Sequence, residues 1–335
     1  MNARSSQLNQ WLEQLGFRDY RLSPASEDAS FRQYLRLEAD GHSQIVMDAP
    51  PELEPCEQFV KVAKLLRGAG LSAPQINAQN LEQGFLLLTD FGGCDYLSQL
   101  HDDTEAELYR DALAALLLMQ SRIDAGELPP YDEALLFREM DLFHDWFLGS
   151  MLGLELNAQQ QRAWQSCRRR LADNALEQPQ VFVHRDYHSR NLMRIVRRNP
   201  GILDFQDAVR GPITYDLVSL LRDCYIAWPA ARVEELALDY YQAARANGLL
   251  KADSVQFLRW FDLMGMQRHL KAVGIFARLK IRDGKSRYLQ DIPRTLEYLR
   301  AVGAAHQSMA GLAALIDELE LASRAAALAK TVSPQ

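Results

Sequence analysis

The sequence predicts an α+β protein with a small sheet-bearing N-terminal lobe and a larger, mainly helical C-terminal lobe. Three observations carry that expectation. Strand-length apolar runs are confined to residues before about 90 and to one island near 180–205. Helical spacing of apolar residues fills most of the remainder. The length of 335 residues, at roughly 150 per domain, corresponds to two domains and buries a core without disulfide or metal staples.

Ser6–Phe17 places Leu8, Trp11, Leu12 and Leu15 on one face of a helix. Phe31–Leu37 and Gln44–Asp48 flank Ala39-Asp40-Gly41-His42, an Asp-Gly turn joining two strands into a hairpin. After Pro50, Pro51 and Pro55, residues Glu57–Ala69 carry Phe59, Val62, Ala63 and Leu66 at helical spacing and stop at Gly70. Gly84–Asp90 is a dense apolar run, read as a buried strand. The expected division is an N-terminal lobe of residues 1–92 and a C-terminal lobe of residues 93–335. Beyond Gly92-Gly93, helices are expected from Thr104 to about Gln120, then over Asp132–Leu152, Asn157–Asn174, Thr214–Tyr225, Arg232–Asn247, Asp253–Ile281 and the Ala- and Leu-rich tail from Ile292. The island is three short strands, Gln180–His184, Leu192–Val196 and Ile202–Phe205, the last two joined by the turn Arg197–Gly201.

Composition excludes several functions. The 37 Lys and Arg against 44 Asp and Glu leave a net charge of −7, a poor footprint for nucleic-acid binding. Cys56, Cys94, Cys167 and Cys224 show no CxxC spacing, which argues for reduced thiols. No secretory h-region or membrane-length apolar run occurs. The expectation is a soluble cytoplasmic protein with no membrane association and no evident obligate protein partner.

The chemistry concentrates in Val181–Asp207, VFVHRDYHSRNLMRIVRRNPGILDFQD. Asn191 follows Asp186 by five residues, the Asp-to-Asn spacing of a kinase catalytic loop. A hairpin that starts after Asn191 and ends at Asp204 sets those two side by side. An amide oxygen and a carboxylate are hard ligands suited to Mg²⁺ on nucleotide phosphates. Asp186, one loop away, is placed to accept a proton from an attacking hydroxyl. That is the division of labour of phosphoryl transfer. His184 reads as structural. His188 reads either as a phosphate or substrate contact or as loop packing.

The segments HRDYHSRNLM, ILDFQDA and GPITYDL resemble the aminoglycoside phosphotransferase and choline kinase group. The resemblance implies a bilobal protein-kinase-like fold, with ATP and Mg²⁺ as cofactors. It implies that Asp186 is the catalytic base and that Asn191 and Asp204 hold the metal. Asp207 matches a second acidic position. Asp216 matches an aspartate that steadies the catalytic loop, against the plainer reading of an acid at a helix N-terminus. Asp28–Arg32, Met47–Pro51 and Met266–Lys271 with Gly274–Leu279 resemble amino-sugar kinases of cell-wall recycling within the group. They imply phosphorylation of the anomeric hydroxyl of N-acetylmuramate and N-acetylglucosamine. Other small-molecule kinases and a pseudokinase binding module are the alternatives.

Thr89-Asp90-Phe91-Gly92 imitates a metal-binding motif but precedes the catalytic loop; Leu86–Gly92, with Leu88 and Asp90, reads as the hinge that meets adenine. The lysine such a small lobe usually supplies to the phosphates is absent, with Val46-Met47-Asp48 in its place. Arg32 is the favoured substitute, just after Ser26–Ser30, which occupies the place of a phosphate-covering loop. Arg36, Lys61 and Lys64 are the alternatives, as are degraded nucleotide binding and Arg32 as an ordinary surface residue, and the role of Glu57, which matches the lysine's usual partner, stays open. Arg268–Arg287 holds seven basic side chains and one acid. It reads either as a solvated face or as part of an anionic-substrate site. Under the second reading Arg268 and Lys271, with His188 and Asp207, contact the substrate, and a basic side chain meets the lactyl carboxylate of N-acetylmuramate.

Overall fold

The Asp40-Gly41 dipeptide takes φ of 52° and 75°, as a tight hairpin turn between twisted strands requires. It joins β2 (Gln33–Ala39) to β3 (His42–Asp48), with Arg36 opposite Ile45 and Leu35 opposite Val46. The computed structural model describes residues 3–26 and 31–330. Most of the expected phosphate-covering loop, at 27–30, lies outside the described residues. The chain packs into two compact units, residues 1–119 with 190–207, and residues 120–189 with 208–335.

In the first unit the sheet has five antiparallel strands in the order β1-β2-β3-β5-β4. The outer strands β1 (Arg21–Ser26) and β4 (Ile76–Asn80) are additions to the sequence reading. Pro24 and the polar content of Asn77, Gln79 and Asn80 hide them, as edge strands allow. The expected buried strand is β5 (Phe85–Thr89), central between β3 and β4. Side chains alternate across the sheet. Leu37, Val46, Phe85 and Leu87 pack with Leu8, Trp11 and Leu12 of α1 (Ala3–Gln14). Asp48 shares the Val46 face, and its carboxylate is held by Arg4 of α1 at 2.5 and 2.7 Å. Arg4 also lies 4.4 Å above the Phe85 ring. The residue in the lysine position is therefore an acid neutralised by the N-terminal helix.

Helix α2 (Glu57–Gly68) buries Phe59, Val60, Val62, Ala63 and Leu66. Its Phe59 ring lies 4.7 Å from Phe205. Short α3 (Tyr96–Gln99) and α4 (Glu105–Arg122) follow. The expected hairpin is present but short, with β7 (Leu192–Met193) paired to β8 (Gly201–Ile202). It is tied to its own unit by Arg194 N–H to Cys94 O, Ile202 N–H to Ser72 O, and the Asn199 amide to Tyr96 and Asp111.

In the second unit β6 (Gln180–Val183) pairs with β9 (Val209–Pro212), a strand that its Arg-Gly-Pro content conceals. The helix expected over Asp132–Leu152 is α5 (Glu133–Leu142), which runs on as a π-helix over Phe143–Met151. α6 (Ala158–Leu176) opens on a capping box between Asn157 and Gln160. α7 (Tyr215–Leu221) and α8 (Ala230–Ala246) precede the 30-residue α9 (Ser254–Asp283). α9 packs on α5, the π-helix, α6, α7, α8 and α10 (Ile292–Ala305). It comes so close to α5 that a Cβ on Gly274 would lie 2.3 Å from the Leu142 carbonyl carbon. Among the described residues the tail continues as α11 (Ala310–Glu318) and α12 (Leu321–Ala329), separated by a turn at Leu319 and Glu320. Phe261 is core, and Trp260 is buried with its indole donating to Glu177 at 2.7 Å.

Candidate active site

The loop after β6 is fastened at both ends by buried carboxylates. Asp216, at the start of α7, accepts the backbone N–H of His184 at 2.6 Å and of Arg185 at 3.0 Å. Asp223 accepts the N–H and hydroxyl of Ser189 at 3.0 and 2.5 Å, and the N–H of Tyr225 at 3.0 Å. Inside the loop the Asp186 N–H donates to His184 Nδ1 at 3.3 Å. His184 is fully buried, as the structural reading expects. The His188 ring meets Tyr225 edge-on, 5.4 Å between centroids.

Arg185 has φ of 79°, a conformation that costs a non-glycine residue energy and needs support from its surroundings. That support includes Glu139, on α5 and 4% exposed, whose Oε1 takes the Arg185 guanidinium at 2.5 Å and Lys271 Nζ at 3.2 Å. Tyr131 donates its hydroxyl to Glu139 and accepts from Gln267 at 2.9 Å. Lys271 also donates to the Tyr215 hydroxyl at 3.1 Å. The Arg268 guanidinium lies 5.5 Å from the centroid of that same ring. Arg268 is buried, and its Nε has no hydrogen-bond partner among the described residues.

These charges set the ionisation of the loop. Burial pushes the Asp186 carboxyl up, but Lys271, His188, Arg268 and Arg185 together hold it well below the usual carboxylate range. Asp216 goes the other way. Burial raises it to about 7 against the two backbone N–H donors. Glu139 stays ionised because Lys271 and Arg185 outweigh its burial.

The basic run divides along α9. Arg268 and Lys271 are buried, whereas Lys280, Arg282 and Arg287 are exposed, so the solvated-face reading describes its C-terminal part.

In the first unit the β7–β8 hairpin brings Asn191 and Asp204 together. The Leu203 N–H donates to Asn191 O at 2.9 Å, and Asn191 Nδ2 donates to Asp204 Oδ2 at 3.2 Å. Asp204 has φ of 60°. Gln206 Nε2 donates to the other carboxylate oxygen at 2.7 Å, and its Oε1 is buried with no partner among the described residues. Two amides and a carboxylate form a hard-oxygen set that fits Mg²⁺. Asp207 is exposed. Arg32 is paired with Glu54 at 2.7 Å. Arg36 grips Asp90 through two nitrogens, at 2.6 and 3.2 Å, and donates to Gly92 O at 3.0 Å. Leu88 is buried in β5. Glu57 and Lys64 are exposed, and Lys61 is half-buried.

Sequence reading passed over Glu139, Asp223 and Gln206. Glu139 belongs to no local motif and meets Arg185 only through the tertiary fold. Gln206 stands inside ILDFQD, where the glutamine in place of a glycine was the available signal.

Residues 21–261 match the family described as the phosphotransferase enzyme family. The N-acetylmuramate/N-acetylglucosamine kinase of Pseudomonas putida is 48% identical, over 97% of this chain and 99% of its own. The protein of the same name from Neisseria meningitidis is 42% identical, over 94% and 96%. Among solved structures, the choline kinase LicA of Streptococcus pneumoniae superposes with a TM-score of 0.62 at 11% identity, covering 90% of this chain and 99% of that one. The aminoglycoside phosphotransferase APH(2")-IIa, in complex with gentamicin, gives 0.61 at 13% identity, covering 89% and 97%. At such identities the likeness establishes a shared kinase-like fold.

Proposed function

The chain belongs to the phosphotransferase enzyme family, and from that premise we propose that it is an ATP-dependent sugar kinase acting on the anomeric hydroxyl of N-acetylmuramate and N-acetylglucosamine. Family membership makes it a phosphotransferase with an alcohol acceptor, and the curated relatives make that acceptor a sugar.

The observation that carries the reading is Asp186, kept ionised on a loop fastened at both ends. An ionised carboxylate accepts a proton, and a fixed loop holds it where the acceptor hydroxyl must lie. Asp186 takes the proton of the C1 hydroxyl as that oxygen bonds to the γ-phosphorus of ATP. The bond from the γ-phosphorus to the β–γ bridging oxygen breaks, and the products are the sugar 1-phosphate and ADP. Asn191 and Asp204 would hold the metal, and Mg²⁺ bound there would neutralise charge on the phosphates. Leu88 and Asp90, on the Leu86–Gly92 segment, serve the adenine, and Arg32 serves the phosphates by exchanging Glu54 for them.

Arg268 and Lys271 differ as substrate contacts. Lys271 already faces Glu139 and the Tyr215 hydroxyl. Arg268, whose Nε has no partner among the described residues, is the better receiver for the lactyl carboxylate of N-acetylmuramate. His188 and Asp207 are assigned to the sugar hydroxyls.

The test is ADP release with Mg²⁺-ATP on N-acetylmuramate, N-acetylglucosamine, kanamycin and choline, with Asp186→Asn as the blank and ³¹P NMR of the product. An anomeric phosphate from the amino sugars alone is the expected result. Turnover only on kanamycin or choline overturns the substrate, and silence across the panel overturns the kinase reading.

A further inference from the structure

Gln206 is 5% exposed, and its two amide atoms have unlike surroundings. Nε2 donates to Asp204 Oδ1 at 2.7 Å, whereas Oε1 is buried without a partner among the described residues. Asn191 does the same on the other side, giving its amide N–H to Asp204 Oδ2 at 3.2 Å. Both oxygens of one carboxylate are thus capped by amide hydrogens, and each capping amide carries a hard carbonyl oxygen. Buried carbonyls normally find a donor or a cation. The terminal torsion of a glutamine is broad and roughly two-fold, so a half-turn replaces the N–H facing Asp204 with the oxygen. That arrangement repels Asp204 unless a cation lies between the two oxygens.

We propose that Gln206 is a third oxygen ligand of the divalent cation, its amide turning over to join Asp204 and Asn191 when the ion binds. This rests on the reading of Asn191 and Asp204 as the metal pair. A magnesium ion takes six oxygens and keeps several from water and phosphate, so three from the protein leave room for a nucleotide. Gln206 adds a ligand without adding charge. The site therefore keeps the single formal negative charge of Asp204, which suits a cation that arrives and leaves with a phosphate-bearing partner.

The test is titration of the nucleotide-free full chain with Mn²⁺, followed by the EPR signal of the free ion. The variants are Gln206→Met, Gln206→Glu and Asp204→Asn, each with a thermal melt. Gln206→Met keeps the side-chain length and removes both amide atoms. It is expected to weaken Mn²⁺ binding by about tenfold, on the scale of losses around metal sites. Gln206→Glu supplies a charged oxygen and is expected to bind at least as tightly as the wild type. A glutamine that only steadies Asp204 predicts the reverse, because a glutamate there repels Asp204 and donates nothing. Mn²⁺ binding in Gln206→Met equal to wild type, or weaker in Gln206→Glu than in Gln206→Met, overturns the proposal. If Asp204→Asn also binds Mn²⁺ like the wild type, the metal pair itself falls.

Discussion

The Glu139 carboxylate holds the Arg185 guanidinium at 2.5 Å, tying α5 to the residue just before Asp186. With Asp216 on the loop backbone and Asp223 at Ser189, three buried acids fix one short loop from three elements. Their negative charge is balanced in part by Arg185, Lys271 and Arg268, the cations that keep Asp186 ionised. One network therefore sets both the position and the charge of the proposed base.

Glu139→Gln tests that coupling. It leaves the Arg185 and Lys271 cations buried beside a neutral amide. Breaking a buried ion pair from one side costs roughly 3–5 kcal/mol. The expected outcome is a clear fall in melting temperature and a fall in kcat of tenfold or more, with KM for ATP within about twofold of the wild type. Equal changes in kcat and KM, or no change in either, would show that Glu139 does not position the loop.

Asp216 predicts a pH dependence with two signs. Its carboxyl titrates near 7 in the folded chain, above its ordinary value of 3.8, because burial outweighs the backbone donors. Arg268 and Asp186 also face it, the first lowering and the second raising it. Between these two values the folded state keeps a proton that the unfolded state has lost. The contribution of Asp216 to stability is therefore fully present below about pH 4 and is lost as pH rises through 7. Turnover runs the opposite way, since only the ionised carboxylate fully accepts both N–H groups of the loop. The acid limb of kcat is expected near pH 7 and to vanish in Asp216→Asn. A limb unchanged in that variant assigns it to another group.

Asp186→Asn removes the proton acceptor while keeping size and loop hydrogen bonding. Loss of general-base catalysis corresponds to about 10²–10⁴ in kcat. The melting temperature is expected to fall, because Lys271, Arg268 and Arg185 lose a buried counter-charge, while ATP affinity, read by calorimetry at a temperature where the variant is folded, stays near wild type. A variant that retains full turnover would remove Asp186 from the chemistry.

Much of the candidate site's geometry was legible because its residues lie on one stretch of chain. Asp186, Asn191 and Asp204 share 19 consecutive positions, and a hairpin between Asn191 and Asp204 follows from a turn signal alone. Asp216 was legible through its motif. Glu139 is 46 residues from Arg185, and nothing local marks the contact. The same reasoning explains the fold. Helices with a regular apolar face were readable, including most of α9. Edge strands β1 and β4 bury one side at most and leave weak alternation. The π-helix over Phe143–Met151 keeps an apolar spacing close to that of an α-helix, so periodicity merges it with α5. The pairing of Asp48 with Arg4 is invisible for another reason: α1 reads as a helix, but its sequence does not say which strand it covers.

Arg268 offers the sharpest test of substrate choice. Lys271 is committed to Glu139 and Tyr215, so its removal disturbs the loop network and both sugars alike. Arg268 stands over the Tyr215 ring with its Nε unpartnered among the described residues, so one N–H of its guanidinium is open to a carboxylate. N-acetylmuramate carries that carboxylate and N-acetylglucosamine does not. A hydrogen bond to a charged group contributes roughly 1.5–3 kcal/mol. Arg268→Met, which keeps an apolar stem in the same space, is therefore expected to raise KM for N-acetylmuramate by about tenfold or more, while KM for N-acetylglucosamine stays within about twofold. Lys271→Met is expected to lower kcat for both sugars by a similar factor. Steady-state kinetics on the two sugars with each variant decides the matter: an equal rise in KM for both sugars in Arg268→Met would make Arg268 part of the loop's electrostatic frame, and the carboxylate would then need another receiver.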